Sequence, residues 1–286
     1  MKPPWLRVEV RAGDELARVA GVLRRYGVHT VCGAAHCPNL PRCWGAGTAT
    51  FMILGEVCTR TCRFCATRTG WPGGAVDPGE PGRVARAVRE LRLSYVVLTS
   101  VDRDDLPDRG ASHWARTIRA VRAAAPGALV EALIPDFSGD RGALEEVLAA
   151  GPAVIGHNVE TVRRLTPHVR DPRASYGLSL EVLRTVKALS PETPTKSSLL
   201  LGLGETEAEV REALRDLRGA GVDILVLGQY LRPGPRQVPV ARYLAPEEFA
   251  AWREEAVRMG FRAVVTGPLA RTSFRAREAY RELSCG

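Results

Sequence analysis

The sequence predicts an α/β protein: a partial (βα)6 barrel of TIM-like design, with an N-terminal extension and a C-terminal tail. Three observations predict it. Six short apolar runs of strand composition recur from about residue 50 onward. A helical pattern follows each of them. The composition, 45% hydrophobic and 25% charged over 286 residues, suits a folded globular chain and excludes general disorder. Strands alternating with helices read as parallel βαβ units. Six such units over about 200 residues suit a barrel or a partial barrel. A doubly wound open sheet has the same element order, and order alone does not separate the two.

The elements follow in order. Residues 14–26 read as a helix, with Leu16, Val19, Ala20, Val22 and Leu23 on its apolar face and Gly27 as its stop. Residues 32–47 read as loop, given Gly33, Pro38, Pro41, Gly45 and Gly47. Strands are expected at 50–54, 95–99, 128–134, 153–156, 197–201 and 223–227. Helices are expected at 82–92, 112–124, 141–150, 178–189, 205–219 and 246–259. No low-complexity linker divides the chain. The expected organisation is an extension over 1–47, a barrel over 48–260 and a tail over 261–286, packed as parts of one core.

No apolar run approaches the roughly 18 residues of a membrane span. The opening MKPPWLRVEV has no apolar core of a signal peptide, so a cytoplasmic protein without a membrane role is expected. The net charge is +8, and of 40 basic residues only Lys2, Lys187 and Lys196 are lysines. A nucleic-acid surface and an acidic protein partner are both compatible with that charge. The arginines are scattered, without a run of five, so charge alone establishes neither.

Seven cysteines carry more information. Six fall between residues 32 and 65, in close groups, and the seventh is Cys285. An odd number without an export signal argues against a disulfide framework and for metal ligation. Cys58, Cys62 and Cys65 form a C-x3-C-x2-C group just after the first expected strand. A loop at the carboxyl end of a barrel strand is where such folds hold their sites. Three thiolates can bind three irons of a [4Fe–4S] cube and leave the fourth iron open to substrate. Zinc is the rival metal, although structural zinc sites commonly show two separated ligand pairs. Phe64 is expected to pack beside the open site.

This C-x3-C-x-aromatic-C loop after the first strand of a βα repeat resembles the radical S-adenosylmethionine (SAM) superfamily. The resemblance implies that SAM chelates the open iron through its amino and carboxylate groups. An electron from the cluster then breaks the sulfonium carbon–sulfur bond, and the resulting 5′-deoxyadenosyl radical takes hydrogen from an unactivated carbon.

A second group, Cys32, Cys37 and Cys43, has C-x4-C-x5-C spacing and ends 14 residues upstream of the first, between Cys43 and Cys58. Two three-cysteine groups in succession resemble the lipoyl synthase family. There the upstream group holds an auxiliary [4Fe–4S] cluster that donates sulfur, and the fourth ligand is a serine of a C-terminal R-S-S-Y motif. Arg271, Thr272, Ser273 and Phe274 match that motif. Ser273 maps to the ligand, with Thr272 as its competitor. The departures are Thr for the first serine and Phe for the tyrosine. A further departure is Gly33-Ala34, where acidic residues are common in the family. The matching stretches run from about Lys2 to Ala276 and include VVLTSVDRDDLPDRGASHW at 96–114, HNVET at 157–161, TPTKSSLLLGLGE at 193–205 and GQYLRP at 228–233.

The resemblance implies two [4Fe–4S] clusters, SAM as co-substrate and insertion of sulfur at C6 and C8 of an octanoyl-lysine. Those carbons carry no acidic hydrogen, so base catalysis cannot activate them and a radical can. The implied partners are octanoylated lipoyl carrier domains, namely the E2 subunits of 2-oxoacid dehydrogenases and the glycine cleavage H protein. A ferredoxin or flavodoxin would supply electrons, and an iron–sulfur carrier would rebuild the cluster. Another radical SAM sulfur inserter is the nearest alternative, and a zinc-binding nucleic-acid module the remote one.

Other residues are candidates by position. Thr99, Ser100 and Asp102, with Arg103, Asp104 and Asp105, follow the second strand and would face SAM; the plain alternative is a helix cap and a charged turn. Asn158 and Glu160 follow the fourth strand as ribose or methionine contacts. Lys196 begins the fifth, and a lysine inside a barrel is costly unless paired, so the SAM carboxylate is its expected partner. Gln229 and Tyr230 end the sixth. His36 and His157 read as ordinary hydrogen-bonded histidines, and Cys285 as a free thiol. Gly202-Leu-Gly204 is too short for a nucleotide fingerprint.

Overall fold

The computed structural model describes residues 2–7, 14–34, 37, 39–45 and 50–283. His36 and Cys285 lie outside the described residues, as does Gly47. The chain divides into two compact units. One comprises residues 9–61 and 67–155, and the other residues 1–8, 62–66 and 156–286.

In the first unit the strand order is His29–Thr30, Thr50–Ile53, Tyr95–Ser100, Leu129–Leu133, Val154–Gly156. His29–Thr30 is antiparallel to its neighbour, pairing His29 with Met52. The next pairs are parallel, with Thr50 opposite Val97 and Tyr95 opposite Leu129. Phe51, Ile53, Val96, Leu98 and Val130 are buried on these strands, as continuous apolar runs require when both sheet faces are covered. The helices Glu80–Leu91, Ala111–Ala124 and Arg141–Ala149 connect them. Asp140 caps the last of these, its carboxylate accepting from Ala143 N–H at 3.2 Å.

In the second unit Thr195–Leu201, Ile224–Gln229 and Ala263–Gly267 lie side by side, all parallel. Helices Tyr176–Leu189, Glu207–Gly219 and Pro246–Arg258 flank them in sequence. Leu183, Leu199, Leu214, Leu217, Leu225 and Phe249 belong to one apolar core. The helix Glu207–Gly219 begins with a reciprocal cap: Thr206 Oγ1 accepts from Glu209 N–H, and Glu209 Oε2 accepts from Thr206 N–H at 2.8 Å.

Two expectations need correction. Residues 32–47 are not all loop: Val31–Ala34 and Leu40–Gly45 are short helices. Gly33 lies inside the first of these and Pro41 and Gly45 inside the second, so single-turn helices tolerate residues that would break a longer one; Pro38 lies outside the described residues. The stretch expected as a tail opens with a seventh parallel strand, Ala263–Gly267, and ends in the helix Ala276–Glu282. Its run, Ala263-Val-Val-Thr-Gly267, has three apolar residues before Thr266 and Gly267 and is buried only at Ala263 and Val264, so it stands out less than the fully buried run at 50–53.

Candidate functional site: two cysteine segments and a tail turn

In the first unit, Cys58 ends the short strand Val57–Cys58, which pairs in parallel with Arg68–Thr69. Gly70 N–H donates to the Cys58 carbonyl at 3.0 Å. Arg60, two residues on, is only 4% exposed. Its guanidinium meets carboxylates from the carboxyl ends of two strands. Nη2 donates to Asp136 Oδ1 at 2.7 Å and to Asp104 Oδ1 at 3.0 Å, Nε donates to Asp104 Oδ2 at 3.1 Å, and Asp102 Oδ1 lies 3.4 Å from Nε. Burial works against the Arg60 charge, but the bonds to Asp136 and Asp104 and the nearby Asp102 hold its pKa above the ordinary value. A buried guanidinium is tolerable only when paired in this way. Thr59 adds a backbone bond to the Asp102 carbonyl and a hydroxyl bond to Asp104. Cys58 Sγ accepts from Arg60 N–H at 3.4 Å and lies 3.7 Å from Asp102 Oδ2.

This accounts for most of the charged run after the second strand. Asp104 serves Arg60, and Asp105 is tied to Arg103 at 2.7 Å and to Gly74 N–H. Thr99 Oγ1 donates to the Leu133 carbonyl, and Ser100 Oγ accepts from Trp114 Nε1. Of the predicted contacts, Asp102 is the one placed beside a cysteine sulfur.

The upstream cysteines are in the same unit. Cys32 is buried, Cys37 and Cys43 are half-buried, and all three are reduced cysteines. Local backbone bonds shape the segment: Cys37 N–H to the Cys32 carbonyl at 3.1 Å, and Cys43 N–H to the Asn39 carbonyl at 2.8 Å. Burial pushes the Cys32 thiol pKa up, while hydrogen bonding to Thr50 acts to lower it. Trp44 Nε1 is buried without a hydrogen-bond partner.

In the second unit, residues 62–66 are strapped on two sides. Arg63 N–H donates to the Val169 carbonyl at 2.8 Å, and Val238 N–H to the Arg63 carbonyl at 2.9 Å. Gln237 Nε2 donates to the Cys65 carbonyl at 3.0 Å, and Asp171 N–H to Cys62 Sγ at 3.3 Å. Phe64 packs against the unit's apolar core. Tyr230 anchors the 230–238 loop through Val238, and burial pushes its hydroxyl up to about 12. Sequence reasoning misses Gln237 and Asp171. Asp171-Pro172 hints at a turn, but nothing local in sequence ties it to a cysteine 109 residues away.

The same unit gathers Asn158, Glu160, Ser198 and Thr272. Asn158 Nδ2 donates to Glu160 Oε1 and to Thr272 Oγ1, both at 3.0 Å. Thr272 Oγ1 is also 3.1 Å from Ser198 Oγ. Glu160 sits at φ +66°, strained for a residue with a side chain, and bridges to the Leu199 strand. Burial raises its pKa, opposed by Arg170, Asn158 and Arg271. Ser273 is half-buried and outside this network. Thr272, the competitor for a ligand role, has its hydroxyl committed to Asn158 and Ser198.

One predicted contact needs correction. Gln229 is fully buried, and its Nε2 is spent on the carbonyls of Leu201, Tyr230 and Arg242 while its Oε1 accepts from Leu244 N–H. It braces a turn and has no donor to spare for SAM. Lys196 is fully buried near the start of its strand, two residues before Ser198 on the same face. His157 bonds Ser179 Oγ at 3.0 Å, an ordinary buried histidine.

The residues fit an iron–sulfur group and SAM. The cysteines are reduced, and backbone N–H groups already point at the Cys58 and Cys62 sulfurs, as they do toward the sulfurs of such clusters. Asn158 Oδ1 is a buried acceptor without a partner, suited to an ammonium or hydroxyl donor. Among the described residues no three His, Cys, Asp or Glu side chains close around a single metal ion.

Known proteins bear on this site. Residues 52–217 match the model of the radical SAM superfamily. The chain is 57% identical over 281 residues to a lipoyl synthase of Thermus thermophilus, covering 98% of this chain and 87% of that one. It is 60% identical over 286 residues to a lipoyl synthase of Pyrobaculum arsenaticum, covering 99% and 96%. Solved structures are more distant. Methylornithine synthase superposes with a TM-score of 0.58 at 13% identity, over 91% of this chain and 76% of that one. The hydrogenase maturase HydG of Carboxydothermus hydrogenoformans gives 0.60 at 14%, over 94% and 69%. At such identity the likeness speaks for the fold, the partial α/β barrel expected from the sequence. With a superfamily model over more than half its length and near-full-length relatives at this identity, the chain belongs to the lipoyl synthase family of radical SAM enzymes.

Proposed function

We propose that this enzyme inserts two sulfur atoms, at C6 and C8, into an octanoyl-lysine carried on a lipoyl domain, completing the lipoyl group. One observation carries the reading: both three-cysteine groups and the Arg271-Thr272-Ser273-Phe274 motif lie in a chain 57–60% identical to lipoyl synthases across its length. When bound, the clusters supply the electron that opens the carbon–sulfur bond of SAM and the sulfur that is transferred.

The residues divide the work. Cys58, Cys62 and Cys65 hold the SAM-binding cluster, and the N–H groups of Arg60 and Asp171 donate to the Cys58 and Cys62 sulfurs. Cys32, Cys37 and Cys43 hold the auxiliary cluster, with Ser273 as the oxygen ligand. Ser273 would give that cluster one hard oxygen donor among thiolates, a mismatched ligand that would leave more readily than sulfur. Asn158 Oδ1 takes a proton donor of SAM, and Glu160 lies one hydrogen bond away to meet its ribose or ammonium. In the other unit Asp102, beside Cys58, is the proposed polar contact, while Thr99 and Ser100 support the strand end next to it.

The functional division is an extension with the auxiliary cysteines, the barrel, and a tail with Ser273. The +8 chain suits acidic carrier domains, the E2 subunits and H protein, and an acidic ferredoxin or flavodoxin. No helix among the described residues is long and apolar enough to cross a membrane.

The test is anaerobic reconstitution followed by incubation with SAM, a reductant and an octanoylated lysine peptide. The expected outcome is a peptide mass gain of two sulfurs, with two molecules of 5′-deoxyadenosine formed per peptide. Abundant 5′-deoxyadenosine without any sulfur in the peptide would overturn the reading.

A further inference from the structure

The tail turn is built into the protein by contacts that the motif itself does not explain. Thr272 Oγ1 accepts a hydrogen bond from Asn158 Nδ2 at 3.0 Å and shares another with Ser198 Oγ at 3.1 Å. Ser198 is 3% exposed and sits in the strand Thr195–Leu201, so it is an immobile anchor. Asn158 is held in turn by its bond to Glu160. One residue before the motif, the Ala270 carbonyl lies 2.2 Å from where a Cβ on Gly228 would stand. Only glycine at 228 lets the tail backbone approach the end of the strand Ile224–Gln229 so closely. Within the turn, Phe274 N–H closes onto the Arg271 carbonyl at 2.8 Å. Two hydroxyl contacts, one glycine and one backbone bond therefore restrict the segment on either side of Ser273.

We infer that Thr272 is a positioning residue: its hydroxyl, clamped between Asn158 and Ser198, sets the tail turn so that the neighbouring Ser273 is presented as the oxygen ligand of the auxiliary cluster. This rests on the ligand role proposed for Ser273. A hydroxyl does this work whether it belongs to threonine or serine, so replacement of the family's serine by threonine here keeps the clamp. Threonine's branched Cβ restricts χ1 further, which favours a single setting of the hydroxyl. The shared bond to Asn158 has a second consequence. The side chain offered to SAM and the side chain that seats the tail meet in one amide, so loss of either partner of Asn158 loosens the other.

The experiment uses the full-length chain with Cys58, Cys62 and Cys65 replaced by alanine, so that iron loads only the upstream group. The readout is the rate of iron release to a chelator, followed by loss of the cluster absorbance. Ser273→Ala is the reference for a missing ligand and is expected to release iron at least ten-fold faster. Thr272→Val removes the hydroxyl while keeping the shape. It is expected to give a roughly ten-fold acceleration, in line with the loss of two hydrogen bonds. Thr272→Ser is expected to restore the parent rate, which a merely space-filling threonine would not require.

The outcomes separate the ligand role from the clamp. If Ser273→Ala releases iron at the parent rate, the ligand reading fails and the clamp with it. If Ser273→Ala is fast but Thr272→Val matches the parent, the ligand stands and the clamp is wrong. The clamp is equally wrong if Thr272→Ser is as fast as Thr272→Val, because the hydroxyl is then not the agent.

Discussion

The two cysteine segments are fastened by different means. Residues 58–65 are pinned by groups far away in sequence: Arg60 to Asp104 and Asp136, Cys62 to Asp171, and Cys65 to Gln237. The backbone bonds that shape residues 32–43 join positions three to five apart, as in Cys37 to Cys32, Leu40 to Cys37 and Cys43 to Asn39. A loop fixed by distant partners keeps its shape whether or not iron is bound. Among its described residues the 32–43 segment has these short-range backbone bonds, with Cys32 also buried beside Thr50, and short-range bonds open locally at a lower cost than a buried ion-pair network. The proposed chemistry wants that difference, since one cluster survives each cycle and the other is dismantled and rebuilt.

The largest expected effect comes from removing one ligand of the pinned loop. Cys62→Ala should abolish SAM cleavage, by at least about a thousand-fold against the parent enzyme. Iron should fall from about eight to about four per chain, because the upstream group still loads. Iron and 5′-deoxyadenosine measured on the same preparation check this. A fall to nearly zero iron would mean that the segments do not load independently.

Next is Arg60. Arg60→Met strands Asp104 and Asp136 as uncompensated carboxylates, of which Asp136 is 1% exposed. Breaking such a buried pair costs about 3–5 kcal/mol. Denaturant unfolding of the iron-free protein measures it, so the result reports on the loop's own scaffold. A cost below about 1 kcal/mol, the range of surface pairs, would remove the basis for calling the loop pre-formed.

What is legible in the sequence follows the same divide. The strand expected at 95–99 is Tyr95–Ser100 and that at 223–227 is Ile224–Gln229, because buried parallel strands are continuous apolar runs. The helix at 14–26 is found at Asp14–Tyr26, and the one at 205–219 begins two residues late, at Glu207, because Thr206 is its cap. The cysteine spacings are local and can be read directly. The supports cannot. In the sequence Arg60 is one more arginine among 37, and its partners lie 44 and 76 residues on. Gln229 resembles a ligand because it ends a strand, yet four backbone groups consume its amide. Polar residues at strand ends serve either the ligand or the loops beside it, and only the closed hydrogen-bond account tells them apart.

A smaller effect is expected in the tail. Gly228→Ala forces the Ala270 carbonyl away from the strand, at about 1–3 kcal/mol for an overpacked site. The comparison predicts a selective result. Iron release from the upstream group should accelerate several-fold, while 5′-deoxyadenosine formation without peptide substrate stays within about two-fold of the parent. Equal damage to both would show that the tail supports the barrel as a whole rather than the labile cluster.

The smallest is Gly70→Ala, and it probes the pinned loop at its edge. A Cβ there would stand 2.9 Å from Val57 Cγ1, next to Cys58. A side-chain methyl on a half-buried residue must shift by a few tenths of an ångström, with no backbone in the way. The backbone bond from Gly70 to Cys58 can persist, since alanine keeps the N–H. The cost should be about 1 kcal/mol, the low end for an overpacked site, because the neighbour is a side-chain methyl rather than backbone. Because Arg60 and the Thr59 bonds hold the loop from the other side, the strain has nowhere to travel. Iron loss from the 58–65 group should rise by less than about three-fold, and that from the 32–43 group not at all. A much larger rise confined to the first group would mean that the small Val57–Cys58 and Arg68–Thr69 pairing, rather than the buried arginine, is the fastening that matters.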